Sequence, residues 1–433
     1  MDNTEKIIDL LNRSYSVFHV VSNMEGELIQ AGYQALDEKE SFALVKGGKY
    51  YVKRNGTSLI AFAIPENLTR LSFQLTATHN DSPTFKLKPD PLLRRQGLLS
   101  LNVEPYGGLI YSTWLDKPLS FAGRLMVKKD GKIESHLLAI DEDLLIIPNV
   151  AIHLNREINK GFSYDPAKDL IPLFGTDEEN FDFKKYLLQK AGIEDGELLS
   201  FDLFLYNREK ARRIGLNQEF LASGRLDDLS SAYAALLGFL SGKKTNHISL
   251  FASFDNEEVG SLTKQGANST FLKDVMQRIV SALDGKNDDY QKAVANSILL
   301  SIDNAHATHP NHPEYADSTS FIGLNKGIVI KYNANQSYTS DALSASLVFA
   351  LAKKAGVPLQ EFTNRSDLRG GSTLGNLSNS EVSLTSVDIG IPQLAMHSSY
   401  ELLGINDLKS LITLTKEYFS TDIRFQKDDI LLS

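Results

Sequence analysis

The chain has 433 residues, and its hydrophobic fraction of 42% and charged fraction of 23% lie close to the averages of soluble globular proteins. Its formal net charge of −9 leaves no surplus of Lys and Arg to neutralise phosphates, which argues against a nucleic-acid partner. The absence of cysteine excludes disulfides and thiolate metal sites, so any metal ion must be bound by His, Asp and Glu.

The N-terminal segment MDNTEKIIDLLNRS contains acidic residues and no long apolar run, so we expect no secretory signal. No stretch of the chain approaches the roughly 20 apolar residues that are needed to cross a bilayer. We therefore expect a cytoplasmic protein without a membrane partner.

The N-terminal part of the chain contains helical and β-type patterns. The spacing of apolar residues predicts that the first 45 residues are mainly helical. Residues 47–65, GGKYYVKRNGTSLIAFAIP, predict a β-hairpin with Asn55-Gly56 as its turn. Residues 71–79, LSFQLTATH, predict a strand that ends at His79.

The texture of the sequence changes twice after this strand. From about residue 92 to residue 222, short β-type runs are separated by Gly, Pro and Asp-Gly. After residue 226, helical patterns alternate with short buried strands such as ISLFASF, ILLSID and GIVIKYN. This order predicts an α/β fold with a mainly parallel sheet sandwiched by helices. The main domain would be discontinuous, residues 1–91 and 223–433, and would carry an inserted β-rich domain, residues 92–222.

Ionisable residues follow four of the predicted strands at the point where each strand ends. They are His79 and Asp81, Glu257 and Glu258, Asp303 and His306, and Asp388 and His397. A further carboxylate, Asp227, opens a predicted helix. Because ligands of open α/β sheets bind beyond the carboxyl ends of the strands, we expect these side chains to converge.

Each of these residues also has an ordinary structural interpretation, which taken singly is at least as good. Asp227 could cap its helix, and Asp303 could cap a turn. Glu257 and Glu258 could form a solvated loop, and His397 could be a satisfied, half-buried histidine. Five such positions together, in a chain with nine histidines, favour a functional cluster.

Two histidines and three carboxylates suit a pair of divalent metal ions such as zinc, manganese or cobalt. One carboxylate must then bridge the ions, because two cations roughly 3.5–4 Å apart otherwise repel each other strongly. In an extended segment, the adjacent Glu257 and Glu258 would point to opposite sides, so that one could bind a metal ion and the other face a water molecule.

Five segments of the chain contain the ionisable residues named above: THNDSPTFKLKP, SGRLDDL, FDNEEVGS, SIDNAHATHPNHPEY and DIGIPQLAMHSSYE. In the same order, these segments resemble the motifs of the aspartyl aminopeptidases. The aspartyl aminopeptidases are metallopeptidases with co-catalytic metal ions that remove N-terminal, typically acidic, residues. The similarity extends to PYGGLIYSTWLDKPLSFAGR and AIHLNREINKGF in the β-rich segment. It implies that the inserted domain serves dimerisation and that dimers assemble into a dodecamer.

The resemblance also implies a ligand set for two metal ions per chain, expected to be zinc, with cobalt or manganese as alternatives. His79 and Asp303 would bind one ion, and Glu258 and His397 would bind the other. Asp227 would bridge the two ions.

Five other residues receive roles from the resemblance. Glu257 would be the general base, and Asp81 would orient a metal ligand through a hydrogen bond. His153 of the inserted domain would reach a neighbouring subunit's active site and stabilise the oxyanion. Lys331 would face the acidic side chain of the substrate, although an ordinary strand-end lysine is the alternative. Met396 would line the substrate pocket, although core packing is the alternative.

The chain departs from the family pattern in two places. Asn80 stands where a threonine is usual, but this position is not a ligand. The segment GGSTLGN, residues 370–376, replaces a more usual ending in Gly-Pro, so we expect a different local substrate loop. His309 and His312 are additional candidate ligands, but the neighbouring prolines favour an ordered turn.

The predicted function is therefore hydrolysis of N-terminal Asp or Glu from peptides by a metal-dependent aminopeptidase. A broader aminopeptidase or a dipeptidase on the same scaffold is the alternative, because the metal ligands do not select the substrate side chain. A non-catalytic assembly particle is disfavoured by Glu257, since a scaffold that only binds metal needs no general base.

Overall fold

The computed structural model describes residues 2–243, 245–286, 288–368, 371, 374–427 and 429–433. Within the segment GGSTLGN, residues 370, 372 and 373 lie outside the described residues, so the expectation of a different substrate loop there stays a prediction. None of the described helices has the length and hydrophobicity that crossing a membrane requires.

The α-helices of the described chain are, in order, α1 (Asn3–Arg13), α2 (Val17–Gln30), α3 (Phe183–Lys190), α4 (Leu226–Ser241), α5 (Phe271–Ala282), α6 (Asp289–Ala295), α7 (Ala342–Ala355), α8 (Leu374–Glu381) and α9 (Ile405–Ser420). The first strands are β1 (Gln34–Leu36), β2 (Lys49–Arg54), β3 (Ser58–Ala63), β4 (Phe73–His79), β5 (Thr84–Arg95), β6 (Leu98–Tyr106), β7 (Leu119–Lys129), β8 (Lys132–Ala139), β9 (Leu173–Thr176), β10 (Glu197–Asn207), β11 (Arg212–Ile214) and β12 (Phe220–Ser223). The later strands are β13 (Ile248–Phe254), β14 (Ile298–Ile302), β15 (Ala305–His306), β16 (Ile328–Tyr332), β17 (Leu359–Thr363), β18 (Thr385–Gly390), β19 (Pro392–Leu394), β20 (Glu401–Gly404), β21 (Ile423–Gln426) and β22 (Asp429–Leu432).

The largest sheet has the strand order β1-β2-β3-β13-β4-β14-β18-β16-β17. Its central strands β13, β4, β14 and β18 are parallel neighbours. Residues of α1, α2, α4, α7 and α9 form the core on one face, and residues of α5, α6 and α8 contribute to the core on the other. Because both faces are covered, every residue of β4, β13 and β14 is buried. The predicted α/β fold, with a mainly parallel sheet between helices, is confirmed.

The N-terminal elements differ in part from the predicted helical segment of 45 residues. The second helix ends at Gln30, and Gly32 adopts a left-handed conformation with φ of 83°, which stops the helix. Residues 34–36 then form the edge strand β1. The predicted hairpin is present, and Asn55 and Gly56 both have the positive φ that such a turn requires.

A second, six-stranded sheet interrupts the main sheet after β4 and has the order β8-β7-β10-β5-β6-β9. Its neighbouring strands are antiparallel, and it packs its own apolar core with α3. The predicted boundary after residue 91 falls inside β5, and β12 pairs with β20 across the predicted boundary after residue 222. We therefore propose that the inserted domain spans residues 84–207.

The register of the parallel strands brings several strand ends to the same edge of the main sheet. Phe254 at the end of β13 pairs with His79 at the end of β4, and Ser301 of β14 pairs with Ala77. The chain segments that leave β4, β13 and β14 therefore begin at neighbouring positions. Beside this edge, the small sheet β11-β12-β20-β19-β15 carries the loop between β19 and β20.

Candidate metal centre

The five predicted metal ligands converge at this edge of the main sheet. His79 ends β4, Asp303 follows β14, and Glu258 lies in a short turn after β13. Asp227 stands in the first turn of α4, and His397 lies in the loop between β19 and β20. Their potential ligand atoms form overlapping trios, each with all its atoms within 4.8 Å of one another: His79–Asp227–Asp303, Asp227–Glu258–His397 and His79–Glu257–Glu258.

Asp227 lies between the two imidazole rings. Its Oδ1 is 3.6 Å from Nε2 of His79, and its Oδ2 is 3.4 Å from Nε2 of His397. On the first side, Nε2 of His79 is also 3.8 Å from Oδ1 of Asp303. On the second side, Nε2 of His397 is 3.4 Å from Oε2 of Glu258. The two oxygens of one carboxylate thus serve two adjacent groups of ligands.

These distances fit ligands of a shared cation better than direct hydrogen bonds. Nitrogen–oxygen hydrogen bonds are about 2.7–3.2 Å long, whereas two ligands that are each about 2.0–2.2 Å from one tetrahedral zinc ion lie roughly 3.3–3.6 Å apart. In addition, Asp227 Oδ1 and Glu258 Oε1 are buried and have no hydrogen-bond partner among the described residues. The residues therefore fit a metal ion on each side of Asp227.

The pKa shifts of the clustered residues also agree with bound cations. Burial raises the pKa of Glu257 to about 8 and raises that of Glu258 well above its usual range. Burial would also raise the pKa of Asp227, but the imidazoles of His397 and His79 hold it below its usual range. Burial disfavours the imidazolium of His79, but the carboxylates of Asp227, Asp303 and Asp81 raise its pKa well above the usual value. Divalent cations would replace these protons and offset the negative charge.

Asp81 connects His79 with both glutamates. Its main-chain oxygen is 3.1 Å from Nδ1 of His79, and its Oδ1 is 3.5 Å from the same nitrogen. The backbone amide of Glu257 donates to Asp81 Oδ1 at 3.1 Å, and that of Glu258 donates to Oδ2 at 3.2 Å. The shorter contact with His79 thus comes from the main chain of Asp81, so the predicted role of its side chain in orienting a metal ligand stays a prediction. The side chain fixes the backbone of the two glutamates.

The geometry of the glutamate pair differs from the extended segment expected from the sequence. Glu257 and Glu258 lie in a single 3₁₀ turn that Asn256 enters with a left-handed φ of 64°. The turn, and not strand alternation, separates the two carboxylates. Asn and Asp tolerate this conformation better than other non-glycine residues, because their short polar side chains can hydrogen-bond locally.

Sequence reasoning missed two carboxylates and a carbonyl that hold the ligands. Glu401 accepts the backbone amides of Leu226 at 2.6 Å, Asp227 at 3.2 Å and His397 at 2.8 Å. Asp228 is fully buried and accepts the backbone amide of His79 at 3.3 Å. The carbonyl of Gly108 lies 2.7 Å from Nδ1 of His397, which leaves Nε2 facing Asp227. The position of Asp228 directly after Asp227 was a sequence feature that could have indicated its role. No sequence feature indicated the role of Glu401, which lies four residues after His397.

The other predicted site residues occupy different environments. Lys331 is buried, and its Nζ donates to the main-chain oxygen of Asp303 at 2.8 Å and lies 3.5 Å from Asp303 Oδ2. Met396 is half-buried beside His397, and His153 lies in an exposed turn of the inserted domain. The expected substrate contacts of these three residues stay predictions.

The histidines at 309 and 312 are exposed and do not belong to the cluster described above. A short turn, Pro313–Tyr315, follows His312, whose ring is 3.0 Å from Glu314 Oε1. The ordered turn that the prolines indicated is present.

An α/β sheet with imidazoles and carboxylates arranged around a shared aspartate fits a metal-dependent enzyme. The family model described as aminopeptidase I zinc metalloprotease (M18) matches residues 10–419. The chain belongs to this family, and it is a metalloaminopeptidase. The family resemblance inferred from the sequence is thereby confirmed.

Relatives and solved structures agree with this assignment over nearly the whole chain. A probable M18 family aminopeptidase 2 of Clostridium novyi (strain NT) is 42% identical over 96% of this chain and 98% of its own length. The similarly named protein of Stutzerimonas stutzeri is 39% identical over 96% and 97% of the two chains. A chain of the Ape4 and Nbr1 complex matches with a TM-score of 0.93 and 35% identity, over 96% of this chain and 85% of that chain. For prApe1 the TM-score is 0.90 at 31% identity, over 96% and 94%.

Proposed function

We propose that this metalloaminopeptidase binds two divalent cations, zinc or else cobalt or manganese, and removes N-terminal Asp or Glu from peptides. The observation that carries the two-cation assignment is the placement of Asp227. One of its oxygens faces His79 and Asp303, and the other faces His397 and Glu258. A carboxylate shared in this way serves two ions at the short separation typical of dinuclear hydrolase sites.

Glu257 is the residue that we propose as the proton carrier of the reaction. Cations bound at Asp227 would lower the pKa of a water molecule and polarise the peptide carbonyl. Glu257 then accepts a proton from the attacking water and delivers it to the leaving amine as the C–N bond breaks. Its side chain lies with those of His79 and Glu258, while Asp81 holds its backbone amide. This position beside the ligand cluster supports the proposed role of Glu257.

The Glu257→Gln substitution tests this role. The amide keeps the shape of the side chain but cannot accept the proton, so we expect kcat to fall by about 10²–10⁴-fold while the bound metal content stays unchanged. Steady-state kinetics on an aminoacyl anilide and elemental analysis of the purified variant measure the two quantities. Glu134→Gln, at an exposed position of the inserted domain, is the control for the substitution. Turnover of Glu257→Gln within tenfold of the parent enzyme contradicts the assignment.

The proposed preference for acidic substrates rests on the family resemblance and on the positive charge of Lys331. A second candidate, an aminopeptidase of broader specificity, is favoured by a specific observation. The ammonium of Lys331 already contacts the main-chain oxygens of Asp303 and Asn304, at 2.8 and 3.3 Å, and lies 3.5 Å from Asp303 Oδ2. In this second candidate, Lys331 holds a metal ligand and does not select the substrate.

Lys331→Met separates the two candidates. If Lys331 selects acidic substrates, kcat/KM for Asp and Glu anilides falls at least tenfold more than for Leu anilide, because only the acidic substrates lose a charge partner. If it positions Asp303, all substrates lose turnover equally and metal affinity falls. Lys353→Met, on the exposed face of α7, is the control. A parent enzyme that prefers Leu to Asp and Glu excludes the proposed acidic specificity.

We further propose that the chain assembles from dimers into a dodecamer in which His153 reaches a neighbouring active site. In support, His153 lies in an exposed turn between the exposed apolar residues Ile152 and Leu154. A similar solved structure, at 30% identity, is described as the mApe1 dodecamer of S. cerevisiae. A cytoplasmic location stays a prediction from the sequence.

Sedimentation of the parent enzyme and of His153→Ala tests the assembly. We expect twelve chains in both cases, with a lower kcat for the variant because the oxyanion loses a donor. A monomeric parent enzyme with full activity contradicts the proposal.

A further inference from the structure

A segment of the inserted domain, residues 106–113, crosses from the end of β6 to the metal centre, and we call it the strap. Its second residue, Gly107, has a φ of 76°, and a Cβ there would lie 3.1 Å from Cβ of Glu258. The backbone of the strap therefore packs so closely against this ligand that a side chain at Gly107 would displace it.

The strap also holds the loop that carries His397. The carbonyl of Gly108 lies 2.7 Å from the Nδ1 of this histidine, and the backbone amide of Ile110 donates to its main-chain oxygen at 3.1 Å. Two residues further along the loop, the amide of Ser399 donates to Oγ1 of Thr113 at 2.9 Å. The inserted domain thus fixes one side of the metal centre through backbone contacts.

The first residue of the strap reaches the other side of the centre through its side chain. The hydroxyl of Tyr106 donates to Oδ2 of Asp81 at 2.7 Å and accepts from Nδ2 of Asn256 at 2.8 Å. The ring of Tyr106 packs edge-on against Phe204, with 5.6 Å between the ring centroids. The ring therefore has its own packing partner, and the hydroxyl is available to orient Asp81.

We propose that Tyr106 is a positioning residue for the general base, acting through Asp81. This inference rests on the proposed role of Glu257. Asp81 is buried, and it accepts hydrogen bonds from the backbone amides of Glu257 and Glu258. These glutamates lie in the 3₁₀ turn Glu257–Val259, which we call the catalytic turn. The Tyr106 hydroxyl fixes the rotation of the Asp81 carboxylate, and the carboxylate fixes the turn. Asn256, which opens the turn, donates to the same hydroxyl, so this hydroxyl is linked to the turn by two routes, directly through Asn256 and indirectly through Asp81.

Removing this hydroxyl would weaken the contacts that orient the side chains of Asp81 and Asn256. Without it, Oδ2 of Asp81 keeps a 3.2 Å contact with the Glu258 amide but loses its shortest donor, and Nδ2 of Asn256 loses its acceptor. Substituting a carboxylate that hydrogen-bonds to metal ligands typically lowers activity or metal affinity by about 10–100-fold. Because the ring of Tyr106 remains packed, Phe at this position removes the orienting contact and little else.

Tyr106→Phe is the test, with Tyr206→Phe as the matched control. Tyr206 is a buried tyrosine of the inserted domain whose hydroxyl donates to the carbonyl of Ile140 at 2.7 Å. Both substitutions therefore remove one hydroxyl group from the same domain, together with the hydrogen bonds that it donates and accepts. The readouts are kcat and KM at saturating Zn²⁺, and backbone amide exchange in the peptide that contains residues 256–259, measured without substrate.

We expect Tyr106→Phe to lower kcat about tenfold with KM within twofold of the parent enzyme, and to speed amide exchange of the catalytic turn. Tyr206→Phe should change neither quantity. Values for Tyr106→Phe that match those of Tyr206→Phe overturn the inference. Full turnover of Glu257→Gln would instead remove the proposed function, and the exchange measurement would still show whether Tyr106 orders the turn.

Discussion

Repulsion between carboxylates is the constraint on which the rest of this structure depends. Asp227, Glu257, Glu258 and Asp303 share one largely buried site, and burying several like charges together is very unfavourable unless cations offset them. Burial raises the pKa of Glu257 and Glu258, and the neighbouring carboxylates raise it further. The chain belongs to a family described as zinc metalloproteases, which agrees with cations as the groups that offset this charge. In the proposed function, bound cations offset this charge density and complete the catalytic site.

The fold holds the two sides of the site by different means. His79 ends a central strand and Asp303 directly follows one, so the register of the parallel sheet positions them. Glu258 and His397 lie in loops where the backbone adopts left-handed conformations, at Asn256 and at His397 itself. These loops depend on contacts from outside the main sheet. Glu401 fixes the His397 loop by accepting a hydrogen bond from the backbone amide of His397. The strap of the inserted domain fixes the same loop through the contact of the Gly108 carbonyl with the His397 ring. The proposed inserted domain therefore contacts the candidate metal centre through residues 106–113 as well as forming a separate sheet.

The sequence was sufficient to predict residues whose positions follow from strand ends. His79 and Asp303 come at the carboxyl ends of apolar runs, and a parallel sheet brings such ends together. The family and its α/β fold were also predictable, because five ordered motifs carry the resemblance. The roles of Glu401, Gly108 and Tyr106 could not be predicted from the sequence. Their roles depend on contacts between segments that lie far apart in the chain, and no local pattern encodes those contacts.

The boundaries of the inserted domain show the same limit. Residues 84–91 look like the continuation of the main domain, because composition changes only later, but the structure includes them in a long strand of the second sheet. The turn of Glu257 and Glu258 is another example. An apolar strand predicts an extended continuation, whereas Asp81 and the left-handed Asn256 bend the chain within two residues. Tertiary contacts, rather than local preference, decide both features.

The measurement that tests the account most directly is anomalous diffraction from crystals of the zinc-loaded enzyme at the zinc absorption edge. We expect two peaks per chain. One would lie between His79 and Asp303, the other between Glu258 and His397, and both within bonding distance of Asp227. A single peak, or two peaks of which only one contacts Asp227, would contradict the claim that this aspartate bridges two cations.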